Sequence, residues 1–398
     1  MQGKTKKFHH RRGILLAFLV IGAAALWVPP ALADSPALNS GKKAVYVQSN
    51  TAPFNSVLIF DRNHDGTLTA AGTVLTGGEG KPAGNPPFGI PFLDSAGSVT
   101  LSDNGRSLFV VNAGDNTVSS LRVTPHGLQL ADVVPTFGSR PVSATTHGHL
   151  LYVLNSDTGS ASISGYRIDG QGGLTPIPGS LRPTSDPTND LPGQVQFDAT
   201  GKLLAVSDRQ PPAGSGVLDF FAVGHNGAAG PAVPHPSSDE TPYGIAFTHD
   251  NVMTVSNEHG SDPALSSTSS YDVTRHGDVT PIDTELAHAG GACWNQITND
   301  DKYVLVTSPF TSNINSWRIE RNGELTPVNG NSIVYTGDGG ALLDESLSND
   351  SKYLYVLNSA GFASSKLDEF RVNRADGTVT HIGVTDSFDG SASGTAAW

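Results

Sequence analysis

One pattern recurs seven times along this chain and constrains its fold more than any other feature. A short apolar stretch ending in a small polar residue precedes a polar loop, and a second stretch then ends in a large apolar anchor. The first kind reads "SLFVVN", "LLYVLN" and "YLYVLN", and the second reads "SISGYRI", "NINSWRI" and "KLDEFRV". The anchors recur about every 52 residues and are Phe60, Leu121, Tyr166, Phe221, Tyr271, Trp317 and Phe370. A period of this length indicates a repeat architecture.

Each repeat predicts a four-stranded antiparallel meander. A turn that often carries glycine, such as "RNGELT", follows the anchor, and an inner strand with a polar turn, such as "QVQFDATGK", precedes most apolar stretches. Four strands cannot bury both of their faces alone, so the units must stack on one another. Seven units closing around an axis form an all-β, seven-bladed β-propeller, which leaves only short edges. The parallel coils of a solenoid would not produce three hairpin turns per unit.

The two ends of the repeat region predict how the ring closes. The first unit starts at its second strand, "AVYVQSN", with no inner strand before it. The chain finishes with "SASGTAAW", residues 391–398, which resembles an inner strand with nothing after it. We therefore expect the C-terminal strand to complete blade 1.

The first 33 residues have the pattern of a secretory signal peptide. Five Lys and Arg residues precede the apolar run from Ile14 to Val28, and "ALA" then offers a cleavage site after Ala33. A membrane anchor is the alternative, but the run is short for a span and a cleavage site follows it. We expect export to the periplasm or the medium, by either the Sec or the twin-arginine route. Residues 34–398 then form a single propeller domain.

The charge of the mature chain limits its partners. Residues 1–33 carry five of the 24 Lys and Arg residues and none of the 37 Asp and Glu residues, so the remainder has a formal charge of −18. Such a chain repels nucleic-acid phosphates and anionic membrane surfaces. We expect a monomer that binds neither nucleic acid nor, after cleavage, a membrane. Cys293, the single cysteine, lies in the apolar context "GGACWNQI" and is expected to pack as a buried hydrophobic residue.

One stretch imitates a metal site. "DRNHDG", which begins at Asp61, looks like the start of an EF-hand calcium loop, but the twelfth position is Gly72 rather than an acidic residue. Strands are expected on both sides instead of helices, and the stretch aligns with "IERNGE" and "VNRADG" of other repeats. It therefore predicts a hairpin turn of blade 1, and we expect neither a metal nor another cofactor.

Four stretches carry a family resemblance: "DNGRSLFVVN", "ISGYRIDGQGGLTP", "NSWRIERNGELTP" and "SKYLYVLNSA". Together they resemble the seven-bladed lactonase-type propellers, which include 6-phosphogluconolactonases and carboxymuconate cyclases. The resemblance implies lactone-ring opening or closing without a metal, by His, Glu and Arg side chains near one channel mouth. The family's Pro-His element before an inner strand is missing here. His235, in "VPHPSS", is instead predicted to lie in a solvated loop.

The candidate site residues lie at inner-strand entries and in the loops after second strands, where a propeller places its axial depression. Lactone hydrolysis needs a base for water and a cation or donor for the oxyanion. Glu258 or His259 could be the base, and Arg209 could hold the oxyanion or a substrate carboxylate. The predicted substrate-binding residues are Trp294, Asn295, Asp208 and Asp344.

Two functions remain open from the sequence. The first is an exported lactonase-like hydrolase, or a carboxymuconate cyclase-like enzyme, acting on small sugar or organic-acid lactones. The second is a non-catalytic propeller that binds a protein, a glycan or a small ligand at the axial face. A propeller fold does not by itself choose between them.

Overall fold

The fold is all-β and consists of seven antiparallel sheets. A computed structural model describes residues 43–82, 84, 90–157, 159–188, 191–209, 216–361 and 363–398, so the expected signal peptide lies outside the described residues. Each sheet is one blade, as the seven repeats predict, and sequential strands are neighbours within it. In blades 3, 6 and 7 the outer strand is divided into two pieces that pair with the same third strand.

The strands follow the repeats in order. Blades 1 and 2 contain β1 Ala44–Gln48, β2 Ser56–Arg62, β3 Leu68–Leu75, β4 Val99–Leu101, β5 Ser107–Asn112, β6 Thr117–Thr124 and β7 Gly127–Pro135. Blades 3 and 4 contain β8 Pro141–His147, β9 Leu150–Asn155, β10 Ser162–Ile168, β11 Leu174–Pro176, β12 Arg182–Pro183, β13 Pro192–Phe197, β14 Leu203–Asp208, β15 Val217–Ala222 and β16 Val233–Pro236. Blade 5 contains β17 Pro242–Phe247, β18 Val252–Asn257, β19 Ser267–Val273 and β20 Val279–Leu286.

The last two blades and the C-terminal strand complete the ring. They contain β21 Asn295–Ile297, β22 Tyr303–Ser308, β23 Asn313–Ile319, β24 Leu325–Pro327, β25 Ile333–Thr336, β26 Ala341–Leu347, β27 Tyr353–Ala360, β28 Ser364–Val372, β29 Val379–Val384, β30 Phe388–Asp389 and β31 Ser393–Ala397. Two short 3-10 turns, His259–Ser261 and Val328–Gly330, are the helical elements of the described residues.

Ring closure by the C-terminal strand is confirmed. Strand β31 pairs antiparallel with β1, from Val45 opposite Ala397 to Gln48 opposite Ser393, and becomes the inner strand of blade 1. The backbone N–H of Trp398 extends this ladder by donating to the carbonyl of Ala44 at 3.1 Å. The two ends of the propeller are therefore joined by backbone hydrogen bonds.

The hydrophobic core lies mainly between neighbouring blades rather than inside one blade. Tyr152 and Leu154 of blade 3, for example, pack with Val195, Val206 and Phe221 of blade 4. All seven repeat anchors are buried. The period in the sequence therefore marks where one blade packs on the next.

The polar residues at the ends of the second strands mostly brace hairpins. Asn112 donates to the hydroxyls of Thr117 and Ser119 at 2.9 and 2.8 Å, and Asn257 donates to those of Ser267 and Ser269 at 3.0 and 2.9 Å. These bonds hold a loop against the following strand. At these two positions the polar side chain therefore serves the local structure of its own blade.

The stretch that imitates a calcium loop is the hairpin between β2 and β3. The Asp65 carboxylate accepts hydrogen bonds from the Thr67 N–H and hydroxyl at 3.1 and 2.7 Å, which fixes the turn. Gly66 has φ of +94°, and a Cβ there would lie 2.0 Å from the ring of Tyr353 in blade 7. Glycine is therefore required both by the turn and by the close approach of the neighbouring blade.

Candidate ligand cavities on the propeller axis

A segment without regular strand structure crosses the axis before the inner strand of blade 2. We call residues 90–98 the axial strap. Its carbonyl groups accept hydrogen bonds from three blades: Arg140 Nη2 donates to Leu93 at 3.0 Å, Arg209 Nη2 to Asp94 at 3.1 Å, and Trp294 Nε1 to Ser95 at 2.9 Å. Because its donors come from different sides of the ring, the strap is fixed over the centre of the propeller.

A buried ion pair anchors the strap. Arg209, which follows β14, contacts Asp94 through Nη1 and Oδ2 at 2.7 Å, and both side chains are nearly inaccessible to solvent. The Tyr243 hydroxyl donates to the other Asp94 oxygen at 3.3 Å, and the guanidinium lies 4.9 Å from the centre of the Tyr243 ring. Burial lowers the pKa of Arg209, but the negative charges of Asp94 and Glu258 and the hydrogen bond to Asp94 raise it above its ordinary value. The guanidinium therefore stays charged inside the protein.

The mouth cavity is a space of about 340 Å³ beside this ion pair. Eight of its ten lining residues are apolar, and Asp94 and Glu258 are the two charged ones. Trp294 and Phe310 provide its aromatic walls, and the strap residues Ile90 and Phe92 also line it. A concave apolar space with few polar groups is the usual form of a small-molecule site.

Cys293 also lines the mouth cavity, but its thiol is poorly suited to nucleophilic attack. Burial raises its pKa well above the ordinary value, and the nearby Glu258 and Asp94 carboxylates raise it further. The thiolate, not the thiol, is the nucleophile. Cys293 therefore acts as part of the apolar wall, in agreement with the sequence analysis.

An axial chamber of about 230 Å³ lies on the other side of Trp294. It is lined by inner strands and by the strap residues Ala96 and Gly97, and it contains Asp344 and Glu345 of blade 7. Burial raises the pKa of Asp344 to about 7. Burial, together with the neighbouring Asp344, also raises the pKa of Glu345 well above its usual range. The two cavities share Trp294, which lines both.

The structure brings part of the predicted site together. Glu258 and Trp294 line the mouth cavity, and Arg209 lies directly behind Asp94 at its wall. Asn295 and Asp344 line the axial chamber instead. The seven predicted residues therefore do not form a single pocket.

The other two predicted residues have structural contacts. Asp208 accepts a hydrogen bond from the Leu191 N–H at 2.9 Å. The Nδ1 atom of His259 lies 2.9 Å from Asp239, and the Nε2 atom lies 3.7 Å from Glu240. His259 is not among the residues that line either cavity.

The sequence analysis missed two residues and misplaced a third. Asp94 and Tyr243 were not singled out, although "FLDSAGS" precedes an inner strand just as the candidates Trp294 and Asp344 do. His235 is not in a loop: it lies in the outer strand β16, and its ring packs edge-on against Phe220 at 5.4 Å. The prediction failed there because "VPHP" lacks the apolar alternation of a strand.

Among the described residues, no helix is long and apolar enough to span a bilayer. Across the same residues, no group of three or more His, Cys, Asp and Glu side chains is arranged to hold a metal ion.

Comparison with known proteins supports the family resemblance. Residues 37–185 match the family model described as "Lactonase, 7-bladed beta-propeller". No curated protein sequence matches the chain. The match confirms the resemblance that the repeats carry and covers the first three blades.

Solved structures show the same architecture. The periplasmic gluconolactonase of Pseudomonas aeruginosa has a TM-score of 0.68 at 16% identity, covering 89% of this chain and 98% of that one. A Lactobacillus plantarum protein has a TM-score of 0.65 at 14% identity, covering 89% and 98%. A candidate 6-phosphogluconolactonase from Bacteroides fragilis has a TM-score of 0.60 at 18% identity, covering 87% and 95%. At these identities the likeness concerns the fold.

Proposed function

We propose that this lactonase-type propeller hydrolyses small, electrically neutral lactones in the mouth cavity. The observation that carries the proposal is the position of Glu258, a carboxylate at the wall of an apolar cavity beside the buried Arg209–Asp94 pair. The similarity to a periplasmic gluconolactonase supports the same reaction class.

Each group has a defined part in the proposed reaction. Glu258 accepts a proton from a water molecule, whose oxygen attacks the lactone carbonyl carbon. Arg209 lies behind Asp94, and its positive charge offsets the negative charge of the cavity wall while charge develops on the carbonyl oxygen. The ring C–O bond then breaks, and the proton passes from Glu258 to the departing ring oxygen, which leaves as a hydroxyl. The product is the open hydroxy acid.

The charge of the cavity suggests its substrate class. Arg209 is engaged by the Asp94 carboxylate and by two backbone carbonyls, those of Asp94 and Leu191. Arg140 donates to the carbonyls of Ser156 and Leu93. Both cations are thus held by protein groups, while Asp94 and Glu258 face the cavity. A phosphorylated or carboxylated lactone would meet two carboxylates there, so a neutral lactone is favoured.

A lactone panel tests this function directly. The purified chain 34–398 is assayed with glucono-δ-lactone, an alkyl-substituted δ-lactone and 6-phosphogluconolactone. We expect hydrolysis of the neutral lactones, a loss of about 10²–10⁴-fold in kcat for Glu258→Gln, and no change for Glu324→Gln on an exposed turn of blade 6. Full activity of Glu258→Gln would refute the assignment of the base.

The second candidate is a non-catalytic protein that binds an apolar ligand in the same cavity. The lining of the mouth cavity favours the binding protein, because eight of its ten residues are apolar and would contact a ligand through packing alone. Two results together would support this candidate over the enzyme. The protein would not hydrolyse any lactone of the panel, and a ligand would quench its tryptophan fluorescence in the wild type but not in Trp294→Phe.

We also propose that the chain is exported and that the leader is cleaved after Ala33. The support is the sequence pattern of residues 1–33, together with the periplasmic location given for the similar P. aeruginosa protein. N-terminal sequencing of the protein recovered from the periplasm or medium should begin at Asp34. A cytoplasmic protein that retains Met1 would refute it.

A further inference from the structure

The axial chamber differs from the mouth cavity in chemistry. Where the mouth cavity is apolar, the chamber is lined by amide, hydroxyl and carboxyl groups from the inner strands of five blades. These polar lining residues include Gln194, Gln196, Asn295, Asp344, Glu345 and Thr395. Its occupant must therefore be a polar species.

At one position of the inner strand, blades 2 to 5 place an apolar side chain, whereas blades 6, 7 and 1 place Asn295, Glu345 and Thr395. Glu345 pairs with the central valine of its second strand, Val356. The equivalent inner-strand positions of blades 4 and 5 are Val195 and Ile245, each opposite a valine of its own blade. Packing between blades requires only an apolar side chain at this position. A buried glutamate there calls for a different explanation.

Several buried oxygens of the chamber have no hydrogen-bond partner among the described residues. They are both carboxyl oxygens of Glu345, Oδ2 of Asp344, Oδ1 of Asn295 and Oγ1 of Thr395. All four residues line the chamber, and none is more than 5% exposed. Four of these five oxygens belong to carboxyl or amide carbonyl groups, whose role is to accept hydrogen bonds or to ligate cations.

Leaving such groups buried without partners is costly. An unpaired buried polar group costs free energy comparable to a lost hydrogen bond, and an isolated buried carboxylate costs far more. Protonation removes the charge of each acid, but the Asn295 oxygen and the second oxygen of each acid remain acceptors without partners. A positive ion in the chamber can be ligated by carboxylate and amide oxygens alike.

We propose that the axial chamber binds one hard divalent cation, with the Asp344 and Glu345 carboxylates and the Asn295 amide oxygen as its protein ligands. Calcium suits this set best, because it accepts six to eight oxygen ligands in flexible geometry, including amide oxygens and water. The nitrogen and sulfur ligands that zinc prefers are missing from this set. Only two of the ligands are carboxylates and the third is an amide oxygen, so this set differs from the clusters of three or more acidic, histidine or cysteine side chains, of which the described residues contain none.

The proposed ion has a structural consequence. Its ligands lie on β21 and β26, the inner strands of blades 6 and 7, and Thr395 of β31 lines the same chamber. The ion therefore connects adjacent blades next to the point where the ring closes. The site is separate from the proposed hydrolytic cavity, so either proposal can fail without the other.

Thermal unfolding and calorimetry test the proposal on the chain 34–398 after treatment with EGTA. Calcium chloride should raise the melting temperature and titrate with one site per chain, whereas magnesium should act more weakly. Glu345→Gln and Asp344→Asn, which keep the shape of the side chain, should each reduce the calcium shift, and the double variant should abolish it. Glu369→Gln, which changes another buried glutamate away from the chamber, should keep the full shift.

Two results would overturn the proposal. One is a wild-type melting temperature that does not respond to calcium or magnesium. The other is a calcium shift of the same size in the double variant, which would locate the ion elsewhere. Because the substitutions remove buried charge, the variants are expected to fold, and circular dichroism checks this independently.

Discussion

Removing residues 391–398 should strongly destabilise the propeller, since it removes the inner strand of blade 1. Strand β31 forms four register pairs with β1, and the Trp398 N–H adds another backbone hydrogen bond. At about 1 kcal/mol per hydrogen bond, the ladder contributes roughly 4–5 kcal/mol. Deletion also uncovers Tyr46 and Val47, which are fully buried. The loss is comparable to the roughly 5–15 kcal/mol of a typical folded protein.

Urea denaturation followed by tryptophan fluorescence measures this loss. The truncated chain should unfold at a much lower urea concentration, or already be unfolded in buffer. Removing Trp398 alone, which leaves the four register pairs, should cost much less. A synthetic peptide of residues 390–398 should restore part of the lost stability by occupying the vacant strand position. A peptide with Ala396→Asp should fail, because Ala396 packs into the core between blades 1 and 2.

A truncated chain whose urea midpoint equals that of the intact protein would contradict this expectation. Closure would then contribute nothing measurable, and packing between blades 7 and 1 alone would hold the ring. Equal rescue by the two peptides would show that the peptide binds without entering the strand position.

Three further predictions concern buried ionisable groups. Arg209→Met should lower the free energy of unfolding by about 3–5 kcal/mol, because it leaves the Asp94 carboxylate buried and unpaired; a urea midpoint unchanged from wild type would contradict this. Burial raises the pKa of Glu369 from 4.5 to about 7, so its stabilising contribution is complete below pH 4.5 and is lost as the pH rises through 7. Glu369→Gln should therefore gain stability relative to wild type between pH 5 and pH 9 in thermal melts, and a constant difference would argue against the shift. The raised pKa of Cys293 should make its alkylation by iodoacetamide at pH 8 far slower in the native protein than in urea, and equal rates would contradict it.

The fold was predictable from the sequence because its signals are local. Each hairpin carries its own turn residues, and each anchor marks a contact between blades. Because this pattern occurs in all seven repeats, every repeat supports the same prediction of a propeller. Closure was predictable for the same reason, since "SASGTAAW" has the form of an inner strand.

The site was only partly predictable because its contacts cross the ring. Asp94 lies in a stretch without periodicity, and its partner Arg209 is 115 residues away in the chain. His259 follows Glu258 directly, but its positive φ of 48° turns the backbone, and its ring reaches Asp239 instead of the cavity. Glu345 lies beyond an irregularity in the pairing of β26 with β27, so simple alternation along the strand could not place its side chain.

Trp294 lines both the mouth cavity and the axial chamber, and its indole donates a hydrogen bond to the strap carbonyl of Ser95. A smaller side chain at this position would therefore alter the walls of two cavities at once, and a single substitution there reports on both sites.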